Sequence, residues 1–158
     1  MTTLKKVIPA ALAAALVGGL FAGTQTAQAE TLVFTAIPDQ DESRLRTRFG
    51  KVATYLSKQL GVSVKYVPVK SYAAAVTAFR NDQVQLAWFG GLSGVRARSL
   101  VKGSQAVAQG AEDVAFVTYF IAHASTKLDE QKSFPKAIAG KTFTFGSKGS
   151  TSGRLMPE

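Results

Sequence analysis

Cysteine is absent from the sequence. That excludes disulfides, thiolate metal sites, a cysteine nucleophile and bacterial lipid attachment through cysteine. Histidine is nearly absent: His123 stands alone. No pair of carboxylates falls at ligand spacing on a helix either, so a metal centre has no ligand set and no cofactor is expected. Acidic residues are scarce, with 10 Asp and Glu against 19 Lys and Arg and a formal charge of +9. Such a balance suits an anionic partner, whether nucleic acid, an anionic surface or a small oxyanion, and serves plain solubility equally well. With 46% apolar and 18% charged residues in 158, the composition is globular and the length that of about one domain.

An apolar run long enough to span a membrane is also missing from the N-terminus. Val7 to Ala22 is shorter than the ~20 residues a spanning helix needs, and it contains Pro9. Lys5 and Lys6 precede it, and a polar stretch ending in Ala27-Gln28-Ala29 follows. A basic start, a short apolar middle and a small-x-small end predict a signal peptide over 1–29, cleaved after Ala29. The mature chain is expected to be exported and soluble.

What is present reads as alternating strands and helices. Thr31 to Ile37 is an apolar, β-rich run closed by Pro38. Asp39 and Glu42 have the spacing of a capping pair, and Leu45, Phe49, Val52, Leu56 and Leu60 then make one apolar helix face, ended by Gly61. Arg44, Arg48, Lys51 and Lys58 lie off that stripe and read as a solvated face rather than a nucleic-acid patch. Val62 to Tyr66 alternates as a second strand, and Ser71 can cap a helix bearing Tyr72, Val76 and Phe79. Val84 to Trp88 is a third strand, turning at Gly90-Gly91 into a helix from about Ser93 to Val101. Further strands are predicted at Ser104–Gln109, Val114–Ala122 and Lys141–Phe145. This alternation implies βαβ units and a mainly parallel sheet. Ligands on such sheets sit at the carboxyl ends of the strands. Tyr72, Trp88 and Phe89 all follow strands there, although spacing alone favours core packing for all three.

The stretch Gly149-Ser150-Thr151-Ser152-Gly153 follows the last predicted strand and opens a predicted helix. Free N–H groups at that helix start, with three hydroxyls and two glycines, can hold an oxyanion without a buried Lys or Arg. An ordinary Ser/Thr N-cap satisfies the same pattern. A nucleophile elbow would place Thr151 as nucleophile, but the acid and histidine that should follow it in sequence are missing, and His123 lies before it as a lone residue in an apolar strand, more often structural. The phosphate-binding loop G-x-x-x-x-G-K-[ST] is not matched.

Three segments together resemble the periplasmic substrate-binding proteins of phosphonate, phosphite and phosphate ABC transporters: VPVKSYAAAVTAFRNDQVQLAWFGGLSG, AFVTYFIAHAST and GKTFTFGSKGSTSGRLMP. Within that family the chain looks closest to a subgroup labelled selenate-binding. The resemblance implies an α/β fold, the two-lobed type II clamshell, with lobe one over 30–122 including a connecting strand. Residues 123–158 would begin lobe two. It implies a non-enzymatic periplasmic receptor that passes a small tetrahedral oxyanion to a membrane permease, acts as a monomer and has no business with nucleic acid. The ligand residues it carries over are Tyr72, Tyr119, Ser150, Thr151 and Ser152, with Trp88 as a supporting wall. Family members continue well beyond Pro157, so the chain is expected to be C-terminally truncated. A periplasmic sensing domain of the same fold and a Thr151 hydrolase are the alternatives.

Overall fold

The computed structural model describes residues 31–130, 133–134 and 136–158. The signal-peptide expectation over 1–29 lies outside them. Six elements alternate in chain order: β1 (Leu32–Ala36), α1 (Glu42–Leu60), β2 (Val64–Tyr66), α2 (Tyr72–Arg80), β3 (Leu86–Trp88) and α3 (Gly91–Leu100). The three strands form one parallel sheet in the order β2-β1-β3, with Leu32 opposite Val64 and Phe34 opposite Leu86. β1 is the central strand and the most buried of the three. Phe34 and Ala36 are buried, and Thr35 joins them by donating its hydroxyl proton to the Val67 carbonyl at 2.6 Å.

The caps follow from the side chains at the helix ends. Asp41, not Asp39, caps α1: its carboxylate accepts from the Arg44 N–H and the Ser43 hydroxyl. Glu42, freed from any capping role, reaches Arg46 and Lys70 and so ties α1 to the segment before α2. Gly61 ends the helix at φ 68°, as a left-handed C-terminal residue does. The apolar stripe is buried only at its start. Leu45 and Phe49 pack on Phe34, with Tyr66 completing a group of rings 5.1–6.0 Å apart, whereas Val52 and Leu60 run out past the sheet into solvent. Arg44, Arg48, Lys51 and Lys58 are exposed, as a solvated face should be.

Beyond α3 the structure departs from expectation. None of the strands predicted at Ser104–Gln109, Val114–Ala122 and Lys141–Phe145 forms. A strand exists only through pairing, and among the described residues these segments find no partner. Asp113 also competes at the start of the second segment. Its carboxylate accepts from the Gly110 N–H at 3.0 Å and winds Ala111–Ala115 into a 3-10 turn. His123 is not the structural residue of a strand either; it is exposed, and its Nδ1 accepts from the Ser125 N–H at the head of another short turn. Phe120 meets Phe134 and Phe143, and Phe143 meets Phe145, in a cluster of half-exposed rings. The helix predicted from Thr151 is a single π-helical turn, Thr151–Leu155. Its amides reach back five residues, Leu155 N–H to the Ser150 carbonyl and Met156 N–H to that of Thr151.

Candidate functional site

The carboxyl ends of β1 and β3 and the N-termini of α2 and α3 converge, as the parallel sheet requires. Ser71 caps α2 by accepting from the Ala74 N–H at 3.0 Å, which fixes Tyr72 as its first residue. The Tyr72 ring is buried with Ile37 and Ala75, and Val69 and Phe89 pack against them. Tyr72 is therefore a core residue in its ring, and the hydroxyl loop lies against that ring at Gly149, next to Ser150. Burial raises the phenol pKa above the ordinary 10.0, and the Ser150 hydroxyl offsets part of that rise. The group is a proton donor throughout the neutral range.

The second wall is the loop from Gly146 to Gly153. Its two ends meet: the Gly146 N–H donates to the Gly153 carbonyl at 2.6 Å, and a Cβ on Gly146 would lie 2.9 Å from the Gly153 Cα. At the loop's middle Gly149 has φ 98°, and a Cβ there would stand 3.0 Å from the Tyr72 Cβ. Glycines thus let the loop close on itself and press against α2. Ser150 accepts from the Gly153 N–H at 3.1 Å, and Thr151 Oγ1 accepts from the Leu92 N–H at 2.9 Å. A hydroxyl that accepts from a backbone N–H keeps its own proton to give. A cleft of about 410 Å³ opens alongside, between α2 and α3, lined by Tyr72, Val76, Ser93, Arg96 and Gly149 among others.

Of the five residues singled out in the sequence, Tyr72, Ser150 and Thr151 come together, and Ser152 is their half-buried neighbour in the loop. Tyr119 is not brought to them. It is 77% exposed, and no hydrogen bond or ring contact joins it to the other four. Trp88 is 45% exposed, which rules out the core reading for it, while Phe89 is a core residue packed edge-on against Phe79. Sequence reasoning missed the Leu92 N–H. The Gly90-Gly91 pair just before it was the available sign that another piece of chain comes close there. Among the described residues no three His, Asp or Glu side chains gather as metal ligands would, and no helix is long and apolar enough to cross a membrane.

Residues 34–158 match the sequence model of a family described as ABC transporter, phosphonate, periplasmic substrate-binding protein. The chain is 42% identical over 149 residues to a "Probable ABC transporter phosphite binding protein" of Prochlorococcus marinus, covering 93% of this chain and 50% of that protein. It is 30% identical over 162 residues to a phosphate-import protein of Mycolicibacterium smegmatis, covering 96% of this chain and again 50% of the other. The chain thus spans about half the length of the curated relatives it matches. A solved structure from Prochlorococcus marinus, in complex with methylphosphonate, superposes with a TM-score of 0.64 at 40% identity, covering 81% of this chain and 48% of that one.

Proposed function

The chain belongs to the family of periplasmic substrate-binding proteins of phosphonate ABC transporters, and from that premise we propose that it is the receptor half-site for a small tetrahedral oxyanion of the phosphonate, phosphite or phosphate type. The single observation that carries this reading is the donor set at the sheet's carboxyl edge. Ser150 and Thr151 each present a hydroxyl that already accepts from a backbone N–H group, and the loop that carries them lies against the Tyr72 ring at Gly149. Protons left over in that way suit an acceptor-only, negatively charged ligand, and Ser152 adds a third hydroxyl. Residues 30–122 act as the first lobe, with 123–158 opening the second. The receptor works in the periplasm, as a monomer, and hands its ligand to a membrane permease without catalysis or any nucleic-acid contact. The methylphosphonate and phosphite named for its relatives are the ligands of first choice.

A hydrolase reading is weaker on physical grounds. A nucleophilic Thr151 needs a base that accepts its proton. The neighbour within hydrogen-bond reach is instead the Leu92 N–H, a donor, and His123 is engaged with Ser125. Titration calorimetry with methylphosphonate, phosphite, phosphate, selenate and sulfate tests the proposal. The first three can carry a proton near neutral pH and the last two cannot; hydroxyl and N–H donors alone serve both classes, so the expectation of the first three rests on the phosphite, phosphate and methylphosphonate named for the relatives. Tight binding of selenate or sulfate alone would move the assignment to a selenate-type receptor, and no binding at all by a protein of the relatives' full length that carries these residues would remove it.

A further inference from the structure

α3 starts without a proper cap. Its N-cap is Gly90, which has no side chain to accept from the free amides of the first turn. Ser93 does not help them, because its hydroxyl turns back on Gly90: it accepts from the Gly90 N–H at 3.1 Å and lies 3.2 Å from the Gly90 carbonyl. The Leu92 amide, second in the helix, is left to Thr151, 59 residues further along the chain. The approach is close. A Cβ on Gly91 would stand 3.1 Å from Thr151 Oγ1 and 3.7 Å from its Cγ2, so a side chain at position 91 requires Thr151 to give way by a few tenths of an ångström.

We propose that Gly91 is a positioning residue for oxyanion binding: its missing side chain is the seat that holds Thr151 on the α3 N-terminus. There the Leu92 N–H occupies a lone pair of Oγ1 and leaves the hydroxyl proton for the ligand. This rests on the reading of Thr151 as a ligand donor. A threonine hydroxyl has one proton and two lone pairs, so the bond from Leu92 orients the group without using up its donor. The same bond ties the hydroxyl loop to α3 and hence to the sheet, which makes the spacing between Thr151 and Tyr72 a property of the fold rather than of a free loop.

The test compares wild type with Gly91→Ala, Thr151→Ser and Thr151→Val by two readouts: calorimetric titration with methylphosphonate, and hydrogen exchange of the Leu92 amide without ligand. Thr151→Ser keeps the hydroxyl and should stay within about threefold of wild-type affinity with Leu92 still protected. Thr151→Val keeps the shape but loses the acceptor, so Leu92 exchange should speed up and affinity fall by about ten- to a hundredfold. Gly91→Ala leaves every donor in place; a displacement of a few tenths of an ångström should weaken binding by about three- to tenfold, part of the full hydrogen-bond effect. A purely structural glycine would lower the melting temperature and leave the affinity of the folded protein unmoved. Affinity in Gly91→Ala within twofold of a wild type that binds overturns the positioning role alone, as does unchanged Leu92 exchange in Thr151→Val. A wild type that binds no oxyanion overturns the functional reading and the positioning role with it.

Discussion

Replacing Tyr72 by Phe separates two tasks of one side chain. The ring is 9% exposed and packs on Ile37 and Ala75, and Phe keeps those contacts. Only the hydroxyl beside Ser150 goes. Because burial raises the phenol pKa above 10.0, the group is a neutral donor at any pH used for binding. A hydrogen bond to a charged acceptor contributes about 1.5–3 kcal/mol, so Tyr72→Phe should weaken methylphosphonate binding about ten- to a hundredfold. Stability should move by less than ~1 kcal/mol, since no cavity opens. Tyr72→Ala makes the contrast, costing ~3–5 kcal/mol through the void left among Ile37, Ala75 and Phe89. Calorimetry and a thermal melt on the same samples read both quantities. Affinity unchanged within twofold in Tyr72→Phe would refute the reasoning and leave Tyr72 a core residue only.

Three other substitutions probe the frame around the site. The Tyr66 hydroxyl is buried without a partner and its pKa is raised by burial, so Tyr66→Phe should stabilise by up to ~1 kcal/mol at neutral pH, seen as a higher Tm. A raised folded pKa means that this stabilisation of the neutral phenol is complete below 10.0 and is lost as pH climbs through the folded value, so wild type should weaken above pH 10 more steeply than Tyr66→Phe. Glu42 is held below its ordinary 4.5, first by Lys70 and then by Arg46. Its contribution is present above 4.5 and disappears as pH falls through the lowered value, and Glu42→Gln should flatten urea-midpoint curves in that acid window; identical curves would discount the ion pair. Gly149→Ala puts a Cβ 3.0 Å from the Tyr72 Cβ at φ 98° and should cost more than ~1 kcal/mol in a denaturant titration.

The first three strands and helices were legible because their signals are local. Gly61 and Ser71 sit at helix ends that they cap by their own chemistry, and the apolar spacing of Leu45 and Phe49 needs no knowledge of the rest of the chain. The segments after α3 were not legible for the opposite reason. The apolar run from Val114 to Ala122 has strand composition, but composition does not supply a neighbour to pair with, and Asp113 bends its start into a turn. Asp41, two residues further on, took the capping role expected of Asp39 because its carboxylate reaches the Arg44 N–H. In the candidate site, the hydroxyl loop could be read from Ser150 to Ser152 in sequence, and Tyr72 came from its place before a helix together with the family resemblance. The bond between Thr151 and the Leu92 N–H joins positions 59 apart, a distance that no periodicity or spacing rule covers. Tyr119 carried only the resemblance, and its exposed position offers nothing local in support.

The most direct measurement of the central claim is phosphorus–proton correlation NMR on the protein with bound methylphosphonate. Contacts are expected from the phosphonate to protons of Tyr72, Ser150, Thr151 and Ser152, all lost together when Thr151→Ala and Tyr72→Phe are combined. Phosphonate contacts elsewhere, for instance to Arg44, Arg48 and Lys51 on the outer face of α1, would contradict it.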